Sequence, residues 1–530
     1  MLEWILFLPI LFLPIGALVF ALAAPRLSPH SRTWLALLLV AIVIGAILVN
    51  IAPINHYIVL SEWQLASFSL ALQIDGVVLL LLLMIFVTLA ALWLVAPPNA
   101  PFDLFSVLVL TAAMLLTLAA NLVTVYFTWV LFDLSLFGWR LARDIERDAA
   151  VRALALSQIA GLAFFAGAAF ATSGYPDQGV LVIAIALWAR LGLFPFHWVY
   201  PLRGADSRDL WLARGVPLLA AASLWIRWPL LSLGAPGQLI AILAALALIA
   251  SMIWVWREEQ PARVVGVSAW HAVALVPLAL AYGGDAGMAF ALWLALGAAF
   301  AIALFEMALR WRGENRNRWS RLIWLVGLFA LAGLPLTPAY LGRVGLYVSI
   351  WQSGNGWLIV VAAFVTTLAL APLWGFGLAL GGAEPRDPKR SEYTGLGILL
   401  AAFAALSLAP MPLAQTLLPE LGNSAQGAML RVIWTDDGLG VIVGLVAAIV
   451  PLVASFFLRQ PARRYQPQPG AFVPRLARAV DLSWLERALA GVGYEMGAAA
   501  RNISTIAEEN PAVWILLVAL WIAILLVYPR

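Results

Sequence analysis

The sequence predicts an all-α polytopic membrane protein of about sixteen transmembrane helices, and three observations carry that reading. Hydrophobic residues make up 64% of the 530-residue chain and charged residues only 11%, where a soluble domain has about 45–50% and about 25%. Mean hydropathy is +0.96. Apolar runs near the roughly 20 residues a spanning helix needs follow one another along the chain, with short polar breaks between them. This composition excludes a soluble globular domain, a disordered chain and a nucleic-acid binder; the lipid bilayer is the expected surrounding.

In chain order the spans fall near 3–24, 34–52, 76–96, 104–120, 121–141, 153–173, 179–200, 213–233, 237–255, 264–283, 286–309, 321–351, 357–380, 394–417, 438–458 and 512–529. The first run opens Met-Leu-Glu-Trp without a basic n-region, so it reads as a retained helix rather than a cleaved signal. Spans 7 and 12 carry prolines in mid-run, Pro195 in one and Pro335 with Pro338 in the other. Proline removes a backbone donor and breaks the helical ladder, and such breaks at membrane depth are tolerated where the freed groups face protein or a wet cavity. Two broken spans five apart suggest two five-helix repeats, spans 4–8 and 9–13, and an odd number of helices per repeat makes the pair inverted. The implied divisions are 1–100 for the first three spans, 101–235 and 236–382 for the repeats, 383–460 for spans 14 and 15, and 461–530 for the tail.

Loop charge sets the orientation. Breaks after odd-numbered spans hold Arg26 and Arg32, Arg140 to Arg152, Arg203 and Arg208, Arg257 and Arg263, Arg310 to Arg321, Lys389 and Arg390, then Arg459 to Arg464. Breaks after even-numbered spans hold Arg431 and otherwise acidic residues such as Asp177, Asp285, Asp436 and Asp437. The positive-inside rule puts the odd breaks in the cytoplasm and both termini outside, in a bacterial-type inner membrane. The tail begins as a basic Pro/Gln-rich linker. It continues as one apolar stripe from Leu482 to Ile506 at steps of three and four, with Asp481 as N-cap: an amphipathic helix for the membrane surface or for a neighbouring subunit.

Cysteine is absent, so the chain forms no disulfide and offers no thiolate to an iron–sulfur cluster. The four histidines are scattered, and neither a P-loop nor a glycine fingerprint after a strand is present. No cofactor or metal is expected in this chain. Ionisable side chains inside the spans are the candidate functional groups, because burying them in lipid is costly. These are Asp133 in span 5, Arg190 in span 7, Arg227 in span 8, His271 in span 10, Glu306 in span 11 and Arg343 in span 12, with His197 just beyond the Pro195 break. Glu306 and Arg310 lie one helical turn apart and read as a pair. Arg227 reads as reaching toward the interface, and His197 as a donor to carbonyls freed by the proline. The single lysine, Lys389, lies in a loop, so no lysine stands inside the membrane.

Five ordered segments carry a family resemblance: SLALQIDGVVLLLLL before span 3, NLVTVYFTWVLFDLSLFGW in span 5, RLGLFPFHWVYP in span 7, RVVGVSAWH opening span 10 and LAGLPLTPAYLGRVG in span 12. Together they resemble the antiporter-like membrane subunits of respiratory complex I (NADH:quinone oxidoreductase), which are related to Mrp-type sodium/proton antiporter subunits. The sixteen spans and the amphipathic tail resemble the longest member type, and RLGLFPFH the smallest. The resemblance implies a membrane-arm subunit among other membrane-arm subunits, contributing to redox-driven proton translocation without binding NADH or iron–sulfur clusters itself. It equally covers a structural paralogue that no longer pumps, and a subunit of an Mrp-type antiporter, a membrane hydrogenase or a bicarbonate-uptake complex.

In that family protons are thought to pass along buried ionisable residues. The position of the span 5 glutamate falls on Val130, one turn from Asp133. The span 7 lysine falls on Arg190, the span 8 lysine near Ala220 and the span 12 lysine on Arg343, while His271 lies within one position of the polar site of span 10. The exchange of lysine for arginine matters physically: a buried lysine can release its proton, and an arginine effectively cannot. The resemblance implies Arg190 as a fixed counter-charge for Asp133, across a contact between spans 5 and 7.

Overall fold

The computed structural model describes residues 26–49, 56–63, 68–95, 104–143, 147–200, 209–228, 237–312, 318–379, 390–408 and 438–464, with isolated positions between 12 and 23 and at 491. The chain divides into two compact units, Met1–Pro474 and Arg475–Arg530. Spans 1 and 16 and the amphipathic segment at 481–506 lie outside the described residues.

The first unit is a bundle of helices. α1 (Pro29–Val49) is followed by strands β1 (His56–Trp63) and β2 (Phe68–Ile74) and then α2 (Gly76–Val95), α3 (Leu104–Leu118), α4 (Leu122–Ala142), α5 (Arg147–Thr172) and α6 (Pro176–Arg190). A π-helical turn, Trp211–Gly215, runs into α7 (Val216–Arg227). Then come α8 (Gly237–Arg257), α9 (Pro261–Val273), α10 (Leu275–Tyr282), α11 (Gly287–Arg312), α12 (Arg318–Ala332), α13 (Pro338–Gln352), α14 (Gly356–Ala379), α15 (Arg390–Leu408) and α16 (Gly438–Arg464). Among the described residues, nine helical segments are long and apolar enough to cross a membrane. α11 is the axis of the unit, packing against α2, α7, α9, α10, α12 and α13, and 94% of its apolar window is buried; the same measure is 22% for peripheral α15.

The all-α expectation needs one correction. β1 and β2 pair antiparallel, His56 opposite Ile74 and Trp63 opposite Phe68, with a bulge between Val59 and Ser61. The reason is visible in Phe68-Ser-Leu-Ala-Leu-Gln-Ile74, where large apolar residues recur at every second position, the period of a strand. The hairpin docks on the α3–α4 turn: Ala120 N–H donates to Ala71 O (2.9 Å) and Ala71 N–H to Thr124 Oγ1 (2.8 Å).

Two of the long spans are interrupted by the same device. α6 stops at Arg190 and the chain turns through Gly192 at φ +65; α12 stops at Ala332 and turns through Gly333 at φ +67. That left-handed backbone suits glycine, and at Gly192 a Cβ would sit 2.5 Å from the Tyr200 ring. Beyond each turn lie the prolines, which keep the chain from resuming its helix at once: a 3₁₀ turn, His197–Val199, in the first case, and α13 starting at Pro338 in the second. Side chains take up the freed carbonyls. Tyr200 Oη donates to Arg190 O (3.0 Å), Trp188 Nε1 to Phe194 O (2.9 Å) and Arg140 Nη2 to Val199 O (3.1 Å). At the second break Arg343 Nη2 donates to Leu331 O (3.1 Å).

Candidate functional site

The first polar centre is built by α4, α5 and the C-terminal end of α6. On α4, Trp129, Phe132 and Asp133 are buried on one face, because residues three and four apart share a side of a helix. α5 adds Ser157 and Gln158. Arg190 is the last residue of α6, where the helix dipole favours a cation. Its Nη1 donates to Asp133 Oδ1 and to Ser157 Oγ (2.8 Å), and Gln158 Nε2 donates to the other carboxylate oxygen (3.0 Å). The guanidinium lies 4.7 Å from the ring centroids of both Trp129 and Phe132. Trp129 Nε1 in turn donates to Ser157 Oγ (3.2 Å), fixing the hydroxyl that Arg190 uses. Asp133 and Arg190 are almost fully buried, at 5% and 1% exposure, so the pair stands where charges attract most strongly and where losing a partner costs most.

The second centre surrounds Glu306 on α11. Arg310, one turn on, donates through Nε to Glu306 Oε1 (2.9 Å) and through Nη1 to Leu92 O (2.7 Å). The other carboxylate oxygen accepts the backbone N–H of Trp211, at the start of the π-helical turn. Glu306 thus neutralises an arginine and caps the N-terminus that leads into α7, where a carboxylate is electrostatically favoured. The π turn aims the Trp211 indole at α2, where Nε1 donates to Ile85 O (3.2 Å).

The third centre is His271 on α9. Its Nδ1 is 3.1 Å from Ser251 Oγ on α8 and its Nε2 is 2.9 Å from Thr366 Oγ1 on α14. All three side chains are buried. Arg343, on α13, is also buried. Nη2 of Arg343 donates to Leu331 O, and among the described residues its Nε and Nη1 have no hydrogen-bond partner.

Of the seven candidate residues, Asp133 and Arg190 are in direct contact among the described residues, and Glu306 meets Arg310. His197 is buried against Trp254 and Trp270, with ring centroids at 3.8 and 5.8 Å, and it reaches the Pro195 carbonyl. Arg227 has partners that its sequence position alone does not reveal. It ties the hairpin to the bundle, donating through Nε to Asp75 Oδ2 (3.1 Å) and through Nη1 to Thr117 O (2.7 Å) and Ala119 O (2.9 Å). The hairpin and the α3 end supply these partners. Asp75 also caps α2 through Val78 N–H (2.8 Å). The residue list from sequence omits two buried arginines. Arg140 closes on Val199 O, and Arg214, on the π turn, lies over the rings of Tyr200 (5.9 Å) and Trp270 (5.3 Å). Arg214 falls inside span 8 as drawn from the sequence, which is the signal that identifies it.

A bundle of apolar helices with two glycine–proline breaks and buried ion pairs beside them has the fold of antiporter-like membrane subunits. It superposes on a chain of respiratory complex I from Thermus thermophilus with a TM-score of 0.69 at 18% identity, covering 79% of this chain and 99% of that one. It superposes on a chain of the Mrp complex from Dietzia sp. with a TM-score of 0.70 at 18% identity, covering 99% and 63%. In sequence the chain is similar to NADH-quinone oxidoreductase subunits N and 14, which fits the antiporter-like family that its motifs resemble. It is 28% identical over 316 residues to subunit N 2 of Solidesulfovibrio magneticus, covering 51% of this chain and 67% of the relative. It is 27% identical over 357 residues to subunit 14 of Thermus thermophilus, covering 60% and 82%. No protein-family model matches the chain.

Proposed function

We propose that this chain is an antiporter-like membrane-arm subunit of a complex I-type NADH:quinone oxidoreductase and contributes to redox-driven proton translocation there, beside other membrane-arm subunits and without a cofactor of its own. The observation that carries the reading is the placement of the three polar centres on or beside the broken spans, in a chain whose relatives are subunits N. Two inverted five-helix repeats, spans 4–8 and 9–13, are part of the proposal, and the shared geometry of the Gly192 and Gly333 turns supports them. In this reading Asp133, His271 and Glu306 are the groups that exchange protons, while Arg190 and Arg343 hold fixed charge, since arginine does not release its proton at physiological pH. The orientation proposed has the arginine-rich odd breaks in the cytoplasm and both termini outside.

A second reading is a scaffold subunit that has kept the fold and lost the relay. The closed network around Asp133 favours it, because both carboxylate oxygens are already engaged.

The test that separates them uses the native complex, purified through a tag on this chain, with its subunits identified and proton uptake per electron measured in proteoliposomes. The double variant Asp133→Asn/Arg190→Gln, which removes both charges of the buried pair together, is expected to lower that ratio. An unchanged ratio in a normally assembled complex excludes Asp133 as a carrier and leaves the scaffold reading. A complex without quinone reductase subunits overturns the assignment of the parent complex.

A further inference from the structure

The hydrogen bonds around His271 fix which of its nitrogens carries the proton. Ser251 Oγ is 2.7 Å from Leu248 O and 3.1 Å from His271 Nδ1. A hydroxyl has one hydrogen, and the shorter contact to a carbonyl, which can only accept, takes it. Ser251 Oγ therefore faces Nδ1 with a lone pair, and Nδ1 must bring the hydrogen. This acceptor on one side of the ring defines the Nδ1–H tautomer. On the other side Nε2 carries a lone pair, 2.9 Å from Thr366 Oγ1. The Thr366 hydroxyl, completely buried on α14, then donates to it.

We propose that Ser251 is a positioning residue that locks His271 in the Nδ1–H tautomer, and that Thr366 is the hydroxyl through which His271 both takes up and gives back its proton. The inference rests on the proton-translocating reading above and adds a direction to it. On loading, a proton arrives at Thr366 Oγ1 as the hydroxyl passes its own hydrogen to Nε2. One O–H bond breaks, one N–H bond and one new O–H bond form, and the imidazole becomes imidazolium. On unloading the steps reverse. The Nδ1 side is closed, because the Ser251 hydrogen is committed to a backbone carbonyl and has no acceptor beyond it. His271 is then a one-door store for a proton, and a wire running through the ring from α8 to α14 is excluded.

The test has a spectroscopic arm and a transport arm, both on the purified intact complex. The chain has four histidines, so ¹⁵N-histidine labelling of this subunit gives a tractable spectrum, with His271→Gln identifying the signal. The expected signal is a protonated Nδ1 with an unprotonated Nε2. In Ser251→Ala that preference weakens while the subunit stays assembled. In transport, Thr366→Val, equal in shape but without the hydroxyl, is expected to reduce proton uptake through this subunit by about a hundredfold, the low end of what a positioned proton-transfer group contributes. Thr366→Ser is expected to restore it. An Nε2–H tautomer in the unmodified complex overturns the proposal, and so does normal uptake in Thr366→Val alongside impaired uptake in His271→Gln. Normal uptake in His271→Gln overturns the transport role of His271 itself, a different failure from the first two.

Discussion

Asp133 and Arg190 meet in a site that cannot rehydrate either charge, and their chemistry makes the two ways of breaking the pair unequal. Asp133→Asn leaves a guanidinium with no counter-charge, and a guanidinium cannot shed its proton to become neutral. The cost expected is about 3–5 kcal/mol, the range for breaking a buried pair from one side. Arg190→Met leaves a carboxylate, which can take up a proton and so avoid part of that cost. The expected order of stability, measured by thermal unfolding of the purified subunit in detergent, is wild type, then Arg190→Met, then Asp133→Asn. The double variant Asp133→Asn/Arg190→Met should be more stable than Asp133→Asn alone. If Arg190→Met is the more damaging single change, the stacking of the guanidinium on Trp129 and Phe132 outweighs its charge. The two charged partners are legible in the sequence, because an ionisable residue inside an apolar run stands out. Their supports Ser157, Gln158, Ser251 and Thr366 are not. Small polar residues are common in spans, and linear order does not reveal which of them meet across 20 to 100 residues.

The elements are positioned by seams of small residues, and one of these sets Arg343. At the α11–α13 crossing, a Cβ on Gly342 would stand 2.6 Å from Phe290 O, and one on Gly297 would stand 2.3 Å from Ala339 Cβ. Helices in lipid gain association energy from such close backbone approach, since no hydrophobic driving force separates lipid from leucine. Gly342 precedes Arg343, so the seam also places the guanidinium. Gly342→Val is expected to destabilise the subunit by about 1–3 kcal/mol through overpacking. A matched Val348→Ala on the same helix removes bulk instead and should leave the α11–α13 spacing intact. The distance between spin labels on α11 and α13 checks this: an unchanged distance in Gly342→Val refutes the seam. The helices themselves are readable from apolar run length, and the breaks from proline. The hairpin shows why pattern reading falls short where two periods compete. Phe68–Ile74 has a clear strand alternation, but it adjoins the long apolar run of α2, and the two merge into one hydrophobic stretch. The partition of span 12 into α12 and α13 is anticipated by its prolines; the exposed Leu336 at φ +66 is not, because a left-handed non-glycine residue leaves no mark on composition.

At the scale of the whole molecule, the asymmetric arginine distribution makes orientation a prediction that the absence of cysteine renders easy to check. Positively charged loops resist transfer across the membrane, so the arginine-bearing breaks are expected on the cytoplasmic side. With no cysteine in the chain, every label reports the one residue introduced. Glu259, in the break between α8 and α9, and Ser353, between α13 and α14, are both exposed and fall on opposite sides of the proposed membrane. In intact cells a membrane-impermeant maleimide is expected to label Ser353→Cys and to spare Glu259→Cys until the membrane is permeabilised. Both should react after solubilisation, which removes shielding as an explanation. The reverse pattern would invert the subunit. Inversion would also change the chemistry: Gly192 with Pro195 ends α6 on the side of Arg140 and Arg143, so turning the chain over would open the first break to the opposite compartment. Because the two breaks lie in spans of opposite direction in the proposed repeats, each access route would exchange its side, and proton uptake would be expected from the wrong face of the membrane.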